Sequence, residues 1–393
     1  VPTAQAYLTH RSFIAPLEGL RAVAAFGIML THVSFQTGGN PASVLARFDF
    51  FVPVFFALSA FVLWRRYDGN ARRYYWHRAV RILPAYLVTV ASVFLLLPDA
   101  FGSSLPMILA NLTLTQIYVP DALAPGLTHL WSLCVEVAFY VVLPLIALAL
   151  RRLPSRTRVL AIFLFSLLSL GWAFVPFVEA TPAPGLPNLQ IFPISYTCWF
   201  AVGMIAAELE GRVRIPGPAY LYWGLALVVA WGAAQPWFGP LGLTHPTPWE
   251  FMRRVLAGMT FGALVFLPVA LGRGAGFLTS GPMQHLGKWS YAIFLWHVPM
   301  LAWAFPLLGV AQFSGQFWQV LAVTVALAVP VSAASYYFVE EPARRLLGRV
   351  ASVRQHQRRE AHTAGEGHEP LVARVGGARP RGMGEPQSSQ PNP

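Results

Sequence analysis

A chain of 393 residues that is 56% hydrophobic and 14% aromatic carries only 11% charged residues, less than half the roughly 25% of a soluble globular protein, and this excludes a soluble enzyme. Apolar runs near twenty residues recur along most of the length. Each is what an α-helix needs to cross ~30 Å of hydrocarbon at 1.5 Å per residue, and runs such as Ala79 to Leu97 lack the alternation of a membrane β-barrel. The net charge of +12 needs no nucleic acid, because the anionic cytoplasmic leaflet of a bilayer is a simpler partner for it.

In chain order, spans are predicted near residues 14–35, 48–64, 79–98, 127–150, 158–178, 192–209, 218–237, 252–272, 285–309 and 315–339. Segment 104–120 is ambiguous, and the distribution of Lys and Arg decides it, since these residues resist translocation. With ten spans and the N-terminus inside, twenty-four basic residues lie inside and three (Arg47, Arg253 and Arg254) outside, with Arg21 in the membrane. An eleventh span through 104–120 would leave nine inside and eighteen outside. The expected fold is therefore an all-α, polytopic transmembrane bundle of about ten spans with both termini cytoplasmic. Segment 104–120 becomes a short or re-entrant outer piece whose Asn111, Thr113, Thr115 and Gln116 must be satisfied among helices and so line a polar cavity.

Arg11 ahead of the first run reads as an uncleaved anchor, since no convincing small-residue cleavage site follows. Residues 13–345 form the membrane domain, and 346–393, rich in Arg, Gly, Pro, Gln and Ser, form a disordered basic cytoplasmic tail. Cys134 and Cys198 lie in apolar segments with neither metal-type nor disulfide spacing. No metal is expected.

An ionisable group at mid-bilayer costs roughly 2.5–3.5 kcal/mol on insertion scales, so each one inside a span is a functional candidate. The first span carries Arg21 and, eleven residues on, His32. At 100° per residue the two share one helix face, about 16 Å apart along the axis. Glu18 is placed to pair with Arg21 across one turn. The alternative is a structural Glu–Arg pair and a core histidine. Most of the run Arg65, Arg66, Arg72, Arg73, His77, Arg78, Arg81 is membrane anchoring, but Arg78 and Arg81 face the same way at the boundary, where guanidinium forks suit phosphate oxygens.

Glu136, the only acid in the span that begins near Trp131, needs a partner, and Arg21, His32 or a substrate hydroxyl would serve; a helix–helix ion pair is the structural alternative. Ser290 and His297, seven residues apart, share a face of the ninth span, a pattern that also serves helix packing alone. The ending Tyr336 to Arg345, with Pro342 stopping the helix, reads as structural.

Taken together these residues resemble the acyltransferase-3 family of integral-membrane O-acyltransferases over roughly residues 13–345. Arg21 and His32 match its Arg, ten residues, His pattern, and Arg78 and Arg81 its Arg-x-x-Arg. Trp131-Ser-Leu-x-x-Glu136-x-x-Phe-Tyr140, Ser290-Tyr291 with Leu-Trp-His297, and the closing Glu-x-Pro-like segment follow in family order. The resemblance implies a plasma-membrane enzyme that moves an acyl group, commonly acetyl, from cytoplasmic acyl-CoA to a hydroxyl of a sugar, glycolipid, cell-wall glycan or macrolide.

Acyl transfer to an alcohol needs a base for the hydroxyl proton and hydrogen-bonding or positive groups for the developing oxyanion, and His32 is the natural base. On this reading Arg78 and Arg81 hold the CoA phosphates. Arg21 holds the donor or orients Glu18 or Glu136, and Glu136 serves His32 or the acceptor. Asn111, Gln116 and His297 are substrate-side residues; Tyr140, Ser290 and Tyr291 are too, and would carry the acyl group if transfer passes through an acyl-enzyme rather than directly.

Segments 31–38 and 110–120 look most like actinobacterial members acting on trehalose monomycolate. Some members carry an extracytoplasmic hydrolase-like domain after the membrane part; the short tail here implies a stand-alone transferase. The competing class is a glycolipid transporter or flippase, but Gly and Pro fall mainly at span ends rather than breaking helices at the midplane. A lipid-linked-sugar glycosyltransferase fits less well, because Gln36 to Arg47 lacks acidic metal ligands.

Overall fold

The structure, a computed structural model, describes residues 14–241, 245–272 and 276–346. The expected tail, apart from Leu346, lies outside the described residues, as do Arg11 and Arg273. Twelve α-helices occur among the described residues: α1 (Ala15–Gln36), α2 (Phe51–Arg66), α3 (Ala71–Leu96), α4 (Leu105–Leu112), α5 (Trp131–Leu150), α6 (Ser155–Ser169), α7 (Pro176–Glu179), α8 (Thr197–Leu209), α9 (Ala219–Ala233), α10 (Pro248–Ala270), α11 (Gly281–Leu308) and α12 (Phe317–Ser335). Short 3-10 turns join several of them, and a π-helical turn, Tyr336–Glu340, continues α12. One compact unit runs to Arg344; of a second, starting at Arg345, only its first two residues are described.

This is an all-α polytopic membrane bundle. Seven helical stretches are long and apolar enough to cross a bilayer, and two shorter apolar helices, Pro193–Leu209 and Ala219–Ala233, accompany them. Each of the ten expected spans coincides with a helix, α1 being the one whose polar residues keep it out of both groups. Segment 104–120 holds only the eight-residue α4, about 12 Å long and far short of a crossing. Exposed side chains such as Leu168 (76%) and Phe338 (81%) are the lipid-facing apolar surface such a bundle needs.

Close approach of helices depends on small residues. A Cβ on Gly287 of α11 would sit 2.2 Å from the Glu18 carbonyl oxygen of α1, and one on Gly203 of α8 would sit 1.9 Å from that of Ala57 in α2. Lipid chains are as apolar as leucine, so packing of this kind, rather than a hydrophobic drive, holds such pairs together. Between α2, α5 and α8 the rings of Phe56, Phe200 and Phe139 stack at centroid distances of 4.3 and 4.2 Å. A second core of Ala25, Met29, Val33, Ile293, Leu301 and Phe305 locks α1 to α11. The polar face of α1 is thereby held against α2 and α11, which positions the site.

Candidate functional site

At the end of the bundle where α1 begins, a cavity of about 320 Å³ is walled by Arg21, Arg65, Arg66, Arg78, Arg81, Lys288 and Arg344, with Glu18 the one carboxylate among its lining residues. The expected Glu18–Arg21 pair is not within ion-pair distance; the described ion pairs join other residues. Arg65 is instead held by Glu210, with Nη2 to Oε1 at 2.8 Å and Nε to Oε2 at 2.9 Å. The buried Nε–H groups of Arg21 and Arg78 have no acceptor. The Arg344 Nε–H is open as well; buried donors are normally paired, so a cavity rich in cations with three donors open suits a ligand bearing several anionic oxygens.

Next to this cavity lies a smaller space of about 40 Å³, here called the waist, bounded by Arg21, Arg81, Glu136, Tyr140, Ser290 and Tyr291. Arg21, Arg81 and Tyr140 line both spaces. Glu136 is fixed by two hydroxyls: Ser59 Oγ and Tyr140 OH each donate to its Oε1 at 2.5 Å. Neither bond reaches His32. Tyr291 OH donates to the Ile82 carbonyl at 3.0 Å, which anchors α11 to α3.

Beyond the waist, toward the end of α1, lies a third space of about 310 Å³ lined by His32, His129, Ser34, Trp131, Asp49 and others. Ile28, Val52, Ser132 and Phe294 border both it and the waist, and Ile28 stands one helical turn before His32. His32 Nδ1 lies 2.8 Å from His297 Nε2, and His297 Nδ1 lies 2.8 Å from the Phe294 carbonyl oxygen and 3.1 Å from that of Ile293. A carbonyl can only accept, so the His297 proton is on Nδ1 and its Nε2 accepts. His32 must then donate from Nδ1, which leaves the lone pair on His32 Nε2 free to take a proton.

His129 completes the cluster, with ring centroids 6.1 Å from His32 and 4.8 Å from His297. Neither of its nitrogens has a partner. No His, Cys, Asp or Glu group suited to a metal occurs among the described residues.

The sequence-derived residues thus divide into three sets. Arg21, Arg78 and Arg81 meet in the basic cavity, Glu136, Tyr140, Ser290 and Tyr291 at the waist, and His32 with His297 beyond it. Asn111 and Gln116 stand apart and line none of these spaces. Asn111 Nδ2 donates to the Met107 and Ala122 carbonyls at 2.8 and 2.7 Å, and the Asn111 backbone carbonyl accepts from Tyr86 OH, so this residue clasps the loop after α4. Gln116 Nε2 reaches the Leu130 carbonyl at 3.5 Å.

Residues that sequence reasoning missed include Ser59, Lys288, Tyr336 and Arg344 in the basic cavity, of which the last two lie in the ending read as structural, and His129 in the histidine chamber. His129 opens the same span as Glu136 and was visible as a histidine at a membrane boundary. Ser59 carried no signal, since Ser is common in such helices.

Residues 14–337 match an acyltransferase domain family. Acyltransferase MdmB of Streptomyces mycarofaciens is 28% identical over 85% of this chain and 92% of its own length. Peptidoglycan O-acetyltransferase OatA of Listeria monocytogenes is 22% identical over 85% of this chain and 56% of its own length, and O-acetyltransferase OatA of Staphylococcus aureus 25% identical over 85% and 57%. The chain therefore spans little more than half the length of the OatA relatives. No solved structure matches it. A multi-pass plasma-membrane bundle that matches the family along most of its length, with a cation-rich cavity and a histidine cluster set on either side of a waist, belongs to the acyltransferase-3 family and is an O-acyltransferase.

Proposed function

We propose that the chain moves an acetyl group from acetyl-CoA, held in the basic cavity, to a hydroxyl of a glycolipid or other saccharide that enters the histidine chamber. The observation that carries this reading is the run of shared walls: Arg21, Arg81 and Tyr140 join the basic cavity to the waist, and Ile28, Val52, Ser132 and Phe294 join the waist to the histidine chamber. A donor and an acceptor entering from opposite ends would meet there. The positive-inside distribution turns the basic cavity to the cytoplasm, in a ten-span topology.

In the reaction, His32 Nε2 removes the proton of the acceptor hydroxyl as its oxygen attacks the thioester carbonyl. The resulting oxyanion forms in the positive field of Arg21, which borders the waist. The C–S bond then breaks, the imidazolium returns its proton to the CoA sulfur, and an ester and free CoA leave. His297 keeps His32 in the productive tautomer throughout. Glu136, pinned by Ser59 and Tyr140, balances the arginines. Arg78 and Arg81 take the CoA phosphates. Trehalose monomycolate, to which segments 31–38 and 110–120 point, is the first acceptor to try.

The test is purified protein with labelled acetyl-CoA and a panel of trehalose monomycolate, other glycolipids and peptidoglycan fragments. Wild type should label one acceptor class, His32→Ala should lose about 100-fold or more of kcat, and Arg78→Ala should raise the acetyl-CoA KM. Undiminished transfer in His32→Ala removes that residue as the base.

A further inference from the structure

The histidine chamber has a side cleft that the acyl-transfer chemistry does not use. It holds about 50 Å³, and Asp49, Val52 and Trp131 border both the cleft and the chamber. Its inner wall is aromatic: the Trp131 and Tyr196 ring centroids lie 5.2 Å apart, and those of Tyr196 and Trp199 lie 4.5 Å apart.

Two polar atoms in this lining have no hydrogen-bond partner, Gln190 Oε1 and Asp49 Oδ1. Gln190 is only 1% exposed, and its amide nitrogen is spent on the Pro246 carbonyl at 3.1 Å. Both orphans are acceptors. A buried acceptor left unmet is costly, so the cleft calls for a hydrogen-bond donor.

The volume limits that donor. A cleft of about 50 Å³ takes a few water-sized groups such as the hydroxyls on a ring's edge, one water needing about 10–15 Å³ of such space, whereas the adjoining chamber of about 310 Å³ has room for the ring. Apolar walls with a few placed polar groups are the ordinary construction of a small-molecule site. A flat ring with an apolar face and several hydroxyls on its rim meets every one of these conditions.

We infer that the cleft is a hydroxyl-reading subsite for a saccharide ring of the acceptor, with the ring packed on Trp131 in the chamber and its hydroxyls donating to Asp49 and Gln190. The inference rests on the acyl-transfer reading for its biological sense, though not for its binding chemistry.

The experiment uses the full chain in a detergent without sugar. Methyl glycosides of glucose, galactose, mannose and N-acetylglucosamine, together with trehalose, are tested for binding by saturation-transfer NMR and for acetylation with labelled acetyl-CoA. At least one glycoside should bind wild type. Its Kd, and its KM where it is acetylated, should rise at least fivefold in both Gln190→Leu and the near-isosteric Asp49→Leu, with the acetyl-CoA KM unmoved, a split that general unfolding would not give.

If no glycoside binds wild type, or if a folded variant of each residue binds as wild type does, the subsite is overturned. Binding that depends on Gln190 without any acetylation supports the subsite and removes the proposed acetyl transfer to a saccharide instead.

Discussion

On the proposed reading His32 is the base because of what holds it. A histidine exposed to water exchanges tautomers freely, but here the Phe294 and Ile293 carbonyls fix the His297 proton on Nδ1, and His297 in turn fixes that of His32. The free lone pair is therefore set by backbone carbonyls two hydrogen bonds away along the chain, and on the proposed reading His297 is a positioning residue. His297→Leu, which leaves His32 without its acceptor, should lower kcat by roughly 10- to 100-fold with little change in the acetyl-CoA KM. His297→Gln, whose amide oxygen can still accept from His32 Nδ1, should recover part of that loss. Steady-state kinetics on the two variants checks this, and equal rates for Leu, Gln and wild type would show that the tautomer is set by something else. Arg21, His32 and Glu136 were legible in the sequence because charge inside an apolar run is costly and hence conspicuous. The partnership of His32 with His297 was not, because the two are 265 positions apart and single-helix periodicity says nothing about which helices adjoin. For the same reason Glu136 could be read as needing a partner, while Ser59, which supplies one of its bonds, passed unnoticed.

Among the helices, placement depends on a few positions where backbones nearly touch. Gly203 lets α8 approach the Ala57 carbonyl of α2, whereas a Cβ on Gly224 of α9 would meet open space. Gly203→Val should therefore lower the thermal midpoint of the detergent-solubilised protein, by the equivalent of about 1–3 kcal/mol for an overpacked site. Gly224→Ala should leave the midpoint unchanged or raise it, since Ala is up to about 1 kcal/mol better than Gly in a helix. A thermal unfolding series on both variants decides it, and similar midpoints would mean that α2 and α8 are held apart from each other. Hydropathy located every long helix, because the bilayer imposes both length and composition on a span. It located segment 104–120 less well, since an eight-residue helix and the loop after it mix apolar and polar residues without a period. Asn111 looked like a cavity residue there because burial of a polar side chain reads alike whether its partner is a ligand or, as here, the backbone carbonyls of Met107 and Ala122. Composition also could not tell anchoring arginines from lining ones: Arg65 and Arg66 belong to the run read as membrane anchoring and also wall the basic cavity.

Across the whole molecule, basic cavity, waist and histidine chamber lie in sequence from the start of α1 toward its end, sharing walls at each junction. On the proposed reading that arrangement makes donor and acceptor vectorial, with the polyanionic carrier at the end walled by seven basic side chains and the hydroxyl compound at the other. The measurement that tests this most directly uses sealed proteoliposomes with the protein inserted in one known orientation. Membrane-impermeant labelled acetyl-CoA is supplied on one side, and a water-soluble acceptor, found active in detergent, is held on the other. Acetylation should proceed only with acetyl-CoA on the face bearing Arg78 and Arg81 and the acceptor opposite, and Arg78→Ala should weaken it through the acetyl-CoA KM. Equal transfer with both compounds confined to a single face, or with the two sides exchanged, would contradict a path through the waist.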